Sequence, residues 1–140
     1  MLLKDKVALI TGGGNGIGRA IVLRFLRDGA KVVTVDLDQA GMEETLKEAG
    51  QAGGQIRGEM ANITKREDVQ RVVDSIVKEH GRLDILINNA GITRDALTAR
   101  VKDGEVKLMT DEQWDAVLEV NLKGSWLCSQ IAAVEMIRQK

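Results

Sequence analysis

The sequence T-G-G-G-N-G-I-G, residues 11–18, lies between a run of apolar residues and a stretch with helical periodicity. Residues 7–10 are all apolar, as in a buried strand that enters a tight turn, and apolar residues recur at helical spacing over residues 17–26. A strand, a glycine turn and a helix in this order bring unpaired backbone N–H groups and the positive end of a helix dipole together. The segment therefore predicts a binding site for an anionic phosphate group.

The spacing of the glycines favours a dinucleotide over a nucleoside triphosphate. Gly12 permits the tight turn, Gly16 lets the backbone come close to a pyrophosphate, and Gly18 allows the helix to lie against the strand. In a P-loop, Lys and Ser or Thr would follow Gly18, but Arg19 and Ala20 stand there. A flexible surface loop is the remaining alternative, and it does not account for the flanking strand and helix.

A single carboxylate predicts which dinucleotide would bind. Asp36 ends the second apolar strand, eighteen residues after Gly18, close to the offset of roughly 20 at which an acidic residue accepts hydrogen bonds from an adenosine ribose. A 2′-phosphate would be repelled there, and Asn15 brings no positive charge to the turn. Both positions favour NAD(H) over NADP(H). The alternative is that Asp36 is a turn residue that follows a strand.

The rest of the chain alternates between short apolar runs and helical patterns. Further strands are predicted at residues 32–36, 55–60 and 83–87, and a weak second helix at 42–49. The spacing of Thr64 and Glu67 predicts a capping box before a third helix that ends at Gly81, and Thr110 with Gln113 predicts another before one long final helix. Alternating strands and helices predict an α/β fold, a Rossmann-like doubly wound parallel sheet in three layers, with strand order 3-2-1-4.

A small hairpin is predicted between the fourth strand and the final helix. Asp103 and Gly104 lie between residues of alternating polarity over 101–106, and Asp-Gly is a strong hairpin signal because both residues tolerate positive φ. We expect the hairpin beside the mouth of the cofactor cleft.

Composition excludes several classes of function. The formal net charge is −1, which argues against nucleic acid or an anionic membrane surface as a partner. The apolar runs are far shorter than the ~20 residues that span a bilayer, and the first residues lack the apolar segment of a secretory signal. One cysteine and one histidine build neither a disulfide nor a zinc site, so no metal is expected. The expectation is a soluble, cytoplasmic protein that acts on a small molecule.

Three motifs at matched positions carry a resemblance to a known family. They are T-G-x-x-x-G-I-G at residues 11–18, N-N-A-G at 88–91 and N-L-K-G at 121–124. With them the chain resembles the short-chain dehydrogenase/reductase family. The stretch N-N-A-G-I-T-R-D at residues 88–95 and N-I-T at 62–64 look like its β-ketoacyl-carrier-protein reductase branch. The resemblance covers residues 1–140, but only the amino-terminal portion of that family's NAD(P)-binding Rossmann domain.

The resemblance implies hydride transfer between a nicotinamide and a carbonyl or alcohol carbon, such as that of a 3-oxoacyl thioester. Asn121 would be the asparagine that supports a proton relay. For Asn88 and Asn89, a role in tying strand ends together is an equal alternative, whereas Asn121 is expected to be a buried amide with hydrogen-bond partners. The implied cofactor-binding residues are Gly12, Asn15, Gly16, Ile17, Gly18, Asp36, Leu37, Ala61, Asn62, Ile63, Asn89, Ala90 and Gly91.

The family's proton donor has no counterpart here. That donor is a tyrosine, assisted by a lysine and a serine beyond the asparagine helix, and this chain has no tyrosine. Ser125 and Ser129 belong to the helix and do not replace the missing serine. We therefore expect a truncated enzyme whose 140 residues lack turnover. The alternative is a free-standing nucleotide-binding or assembly module without chemistry.

Assembly into a homo-oligomer is also expected. A sheet that stops at the fourth strand, residues 83–87, leaves an unpaired edge. Four large apolar residues of the last helix would lose part of their cover, and in the resembling family this helix packs against another subunit. These residues are Trp114, Leu118, Leu122 and Trp126.

Overall fold

The computed structural model describes residues 1–94 and 96–139. Asp95, the last residue of the N-N-A-G-I-T-R-D stretch, and Lys140 lie outside the described residues. Within the described part, no helix combines the length and the apolar character needed to cross a membrane.

A four-stranded parallel sheet forms the centre of the fold. Its strands are β1 (Val7–Thr11), β2 (Lys31–Asp36), β3 (Ile56–Met60) and β4 (Ile85–Ile87), in the order β3-β2-β1-β4. Every residue of β1 is buried, because this strand lies between two neighbours and is covered on both faces. The predicted α/β class and the strand order 3-2-1-4 are confirmed.

Helices cover both faces of the sheet. In chain order the helices are α1 (Gly16–Arg27), α2 (Gln39–Gln51), α3 (Arg66–His80), α4 (Asp111–Leu118) and α5 (Ser125–Arg138). α4 has no buried residue, and the other four helices cover the sheet. One apolar cluster joins α3 and α5 to the sheet and includes Val73, Ile76 and Ile131, all buried. A second cluster joins α1 and α2 to the opposite face through Val22 and Ala49. The result is the predicted three-layer arrangement.

The two predicted capping boxes have different outcomes. Thr110 and Gln113 form one: the Thr110 hydroxyl accepts from the Gln113 N–H at 3.2 Å, and the Gln113 side chain accepts from the Thr110 N–H at 2.9 Å. The box at Thr64 is wrong, because α3 begins at Arg66 and the Thr64 hydroxyl donates to the Asn62 side chain at 2.7 Å. The Thr64 hydroxyl is hydrogen-bonded within a local turn at Asn62 and therefore does not cap the helix.

The long final helix is interrupted by a wider turn. Residues Glu119–Gly124 are π-helical and join α4 to α5 without a break. Asn121 lies within this π segment, and single π turns inside longer helices occur frequently at functional sites.

The predicted hairpin is present. Its strands are β5 (Ala99–Lys102) and β6 (Glu105–Leu108), paired antiparallel. Asp103 and Gly104 have φ of 55° and 79°, the positive values that a two-residue I′ turn requires.

The outer edge of the sheet at β4 is shorter than predicted. Asp84 precedes the strand and accepts a hydrogen bond from the Val7 N–H at 2.9 Å, so a side chain takes part of the pairing at this end of β1. The Gln139 amide, just after α5, donates to the Leu83 carbonyl at 2.9 Å and accepts from its N–H. Beside β4, no further strand lies among the described residues.

Candidate functional site

A cleft of about 370 Å³ opens at the carboxyl ends of β1, β2 and β4. Of the predicted cofactor-binding residues, all but Gly16 line it. Three lining residues were not predicted, although Val35 continues the alternation of β2, Ile92 follows the N-N-A-G motif and Val120 precedes Asn121. The lining consists of Gly12, Asn15, Ile17, Gly18, Val35, Asp36, Leu37, Ala61, Asn62, Ile63, Asn89, Ala90, Gly91, Ile92 and Val120.

The glycine turn is held against the end of β4. Gly12 has φ +73° and donates its N–H to the Val35 carbonyl at 2.7 Å. A Cβ on Gly12 would lie 2.8 Å from the Ala90 Cα, and a Cβ on Gly18 would overlap the Gly12 carbonyl. The Asn89 side chain donates to the Gly12 carbonyl at 3.0 Å and to the Thr11 carbonyl at 3.2 Å. Asn89 therefore ties strand ends together and also lines the cleft.

Asn88 ties the end of a strand to a neighbouring element, which is the structural alternative considered for it in the sequence. Its side-chain amide donates to the Ser129 hydroxyl at 2.9 Å, which joins the end of β4 to α5. It does not line the cleft.

The amino end of α1 is the part of the cleft suited to a phosphate. Its N-cap residue, Asn15, makes no side-chain capping hydrogen bond, and its first turn contains no acidic residue. Within the described part of the chain, α2, α3 and α4 each begin with a side-chain cap or with acidic residues in the first turn. Asp38 caps α2, Glu67 and Asp68 lie in the first turn of α3, and α4 has its capping box.

The first N–H groups of an α-helix have no partner within the helix. Among the described residues they meet no carboxylate, and they open into the cleft beside Asn15, Ile17 and Gly18. At Gly16, φ is +51° and a Cβ would meet no atom within 4 Å, so the backbone there is open to an approaching group. This end of the cleft fits the pyrophosphate of a dinucleotide.

The Asp36 carboxylate is fixed at the opposite side of the turn. One oxygen accepts from the Gly14 N–H at 2.8 Å, and the other accepts from the N–H groups of Leu37 at 2.8 Å and Asp38 at 3.0 Å. Two carboxylate oxygens offer about four acceptor positions, so the group retains capacity for a hydroxyl donor. No arginine, lysine or histidine is found among the described residues that line this cleft.

Asn121 is exposed, which corrects the expectation of a buried amide, but its partners are present. Its Oδ1 accepts from the Ile92 N–H at 2.8 Å, and its Nδ2 donates to the Ile92 carbonyl at 2.9 Å. This pair of hydrogen bonds ties the π segment to the loop that follows β4. These two hydrogen bonds explain why a polar residue stands on an otherwise apolar helix face: the Asn121 amide pairs with both the N–H and the carbonyl of Ile92.

Cys128 takes no part in the site. It is buried in the cluster between the sheet and α5, and burial raises the pKa of its thiol to about 11. The thiol is therefore neutral near pH 7 and serves as an apolar core residue.

The comparisons with known proteins agree with this geometry. A sequence model of the family described as short chain dehydrogenase matches residues 6–140, and the chain belongs to that family. Its sequence is 41% identical over 140 residues to 3-oxoacyl-[acyl-carrier-protein] reductase FabG of Thermotoga maritima, an alignment that covers 100% of this chain and 54% of the reductase. The resemblance drawn from the three motifs is confirmed.

Solved structures show the same fold. A metagenomic short-chain oxidoreductase in complex with NADP has a TM-score of 0.86 and 29% identity, over 99% of this chain and 60% of that one. NAD+-bound xylitol dehydrogenase has a TM-score of 0.84 and 26% identity, over 99% and 51%. The chain spans about half the length of the curated relatives it matches.

Proposed function

We propose that this chain is the cofactor-binding portion of an NAD(H)-dependent short-chain oxidoreductase. The observation that carries the proposal is the amino end of α1, which has no side-chain cap and no acidic residue in its first turn and opens into the cleft that Asp36 also lines. When bound, the nicotinamide would exchange a hydride with a carbonyl or alcohol carbon. The relative in Thermotoga maritima favours a 3-oxoacyl thioester as the substrate.

The cleft residues divide into groups along the dinucleotide. The turn residues Gly12 and 15–18 would hold the pyrophosphate through backbone N–H groups. Asp36 and Leu37 would hold the adenosine ribose, and residues 61–63 would flank the adenine. Residues 89–91 would form the floor beside the nicotinamide ribose. Asn121 is a positioning residue here, because its side chain holds the loop at Ile92.

The preference for NAD(H) rests on charge. A 2′-phosphate would meet the Asp36 carboxylate and would find no cation among the described lining residues. The NADP bound to the metagenomic relative and the NAD+ bound to xylitol dehydrogenase show that similar folds accommodate either dinucleotide. The residue at position 36 is therefore the feature we expect to decide between them.

Calorimetric titration of the chain with NAD+ and NADP+ tests both the cofactor site and the preference for NAD(H). We expect NAD+ to bind on the order of tenfold more tightly, a difference of about 1.4 kcal/mol. Asp36→Asn should reduce the ratio of the NADP+ and NAD+ dissociation constants. Asp38→Asn is the matched control, because it removes a neighbouring charge while asparagine retains the cap of α2. Tighter NADP+ binding by the parent would overturn the preference alone, whereas binding of neither would overturn the cofactor site.

We also propose that the 140-residue chain has no turnover. It contains no tyrosine, and a bound cofactor does not by itself supply the proton that an alkoxide needs. The purified chain should not oxidise NADH with a 3-oxoacyl thioester. NADH oxidation that persists after repurification, in proportion to the amount of chain, would show that another group donates the proton.

A second candidate, an assembly module without chemistry, is favoured by the exposed apolar residues of the last helix. Leu118, Leu122 and Trp126 are 39%, 65% and 52% exposed and lie on one shared surface. We propose that this surface joins copies of the chain in a homo-oligomer, whether or not the parent protein is an enzyme. Sedimentation at micromolar concentration should show an oligomer, and Leu122→Asp should dissociate it. Leu2→Asp is the control, because Leu2 is an exposed leucine (84%) far from this surface in the sequence. A monomeric parent chain would refute the proposal.

A further inference from the structure

A second cavity, of about 620 Å³, lies next to the cofactor cleft. The two share Ile92, and Asn121 lines the second cavity while it holds Ile92 in place. The loop after β4 and the first turns of α4 form its walls. A group seated there would lie beside the part of the cleft that we assign to the nicotinamide.

The walls of this cavity combine an apolar surface with two cations. Trp114, Val117 and Leu118 of α4, with Met109, provide the apolar surface. Arg94 and Arg100 provide the cations, and no carboxylate is found among the described residues that line the cavity.

Neither guanidinium is neutralised within the described part of the chain. No ion pair there includes Arg94 or Arg100. Among the described residues, Arg94 donates one hydrogen bond, to the Thr93 carbonyl at 3.0 Å, and the other N–H groups of its planar guanidinium fork have no partner there. Such a fork matches the geometry of a carboxylate or phosphate group.

The hairpin presents Arg100 to the cavity. Of the residues in β5 and β6, Arg100 alone is part of the lining. Its cross-strand partner is Lys107, and like charges directly opposite one another are unfavourable in a sheet. On the other face of the hairpin, Val101 and Val106 are 73% and 69% exposed. The charged face therefore adjoins the cavity, and an anion placed there would relieve the repulsion between the two cations.

We infer that this cavity accepts a substrate with an apolar acyl chain and an anionic group, and that Arg94 and Arg100 select the anion. The inference rests on the proposed function, because it places the reacting part of the substrate beside the nicotinamide. Carboxylate and phosphate share the required chemistry. The apolar wall of α4 would bind the acyl chain of the substrate, while the two arginines would bind its anionic group.

The two tryptophans allow a direct binding test. Trp114 lines the cavity and Trp126 does not, so the fluorescence of the Trp126→Phe chain reports on the cavity. Octanoate, octyl phosphate and octanol share an apolar chain and differ in the charged end. Each is titrated below its aggregation concentration. We expect at least one anion to bind about tenfold more tightly than octanol, as for one charge-assisted hydrogen bond. The tighter of the two anions identifies the group.

Matched variants separate recognition by the cavity from general adhesion. Arg94→Gln and Arg100→Gln should each lose most of the preference for the anion, whereas Lys102→Gln, a hairpin cation outside the lining, should retain it. The Trp114→Phe chain, which keeps only Trp126, should show no ligand-dependent change. Equal binding of octanol and both anions, no binding, a preference that survives both arginine changes, or a response from Trp126 would each overturn the inference. Titration of the same variants with NAD+ tests the proposed function independently.

Discussion

Replacing Gly18 with alanine tests whether the turn is held as tightly as the structure indicates. Gly18 lies in the first turn of α1 and lines the cleft, and an added Cβ would overlap the Gly12 carbonyl and lie 2.5 Å from the Asn89 side-chain nitrogen. The Gly12 backbone has little room to move. Its N–H donates to Val35 at 2.7 Å, and its carbonyl accepts from Asn89 at 3.0 Å.

The expected effect combines one stabilising term and two destabilising terms. Alanine improves helix propensity by up to about 1 kcal/mol relative to glycine. Forcing a methyl group into a packed region costs about 1–3 kcal/mol, and the cost lies toward the upper end where the obstructing atom is backbone. Loss of the Asn89 hydrogen bond to Gly12 adds about 1 kcal/mol. The free energy of unfolding should therefore fall by about 2–3 kcal/mol, a large share of a total near 5–15 kcal/mol.

Urea unfolding followed by circular dichroism at 25 °C measures this change. Gly50→Ala is the matched control, because Gly50 is an exposed residue in the last turn of α2 and a Cβ there meets nothing within 4 Å. That variant should be as stable as the parent or about 0.5–1 kcal/mol more stable. If Gly18→Ala unfolded at the same urea concentration as the parent, the packing argument for the turn would be refuted.

Two further predictions concern ionisable groups. Although burial raises the pKa of Asp84, its hydrogen bonds from Arg82 and the Val7 N–H and the nearby charges of Arg82 and Lys6 lower it below the ordinary 3.8. Its contribution to stability should be present above the ordinary pKa of 3.8 and lost as the pH falls through the folded-state pKa. In urea unfolding, Asp84→Asn should be less stable than the parent at pH 7, and the difference should shrink as the pH is lowered below 3.8. Burial raises the pKa of Cys128 to about 11, so a thiol reagent at pH 8 should modify it only as fast as the protein opens. A cysteine at the exposed Ala133 should react at once, and equal rates for both thiols would contradict the burial of Cys128.

Features that depend on neighbours in the sequence could be predicted. The glycine turn, the hairpin at Asp103 and Gly104 and the capping box at Thr110 each depend on residues a few positions apart. The strand order also followed from the sequence, because alternating strands and helices allow few right-handed arrangements. The carboxyl ends of parallel strands meet at one edge of a sheet. The residues that the family resemblance implied for the cofactor follow these strand ends, and nearly all of them therefore lie along one cleft.

Features that depend on distant partners were decided by the tertiary structure. Thr64 has a capping spacing, but Asn62 takes its hydroxyl, and competition between a turn and a helix is not visible in a spacing pattern. Asn121 lies on an exposed π turn because its amide meets the backbone of Ile92, twenty-nine residues away.

The second cavity exists only after folding. Arg94 follows β4 and Arg100 belongs to the hairpin, and neither is marked by a motif as a ligand of the same site. Local propensity and hydrophobic pattern determined the elements and their order. Packing between residues far apart in the chain decided which polar groups were paired, and therefore which were left free to meet a substrate.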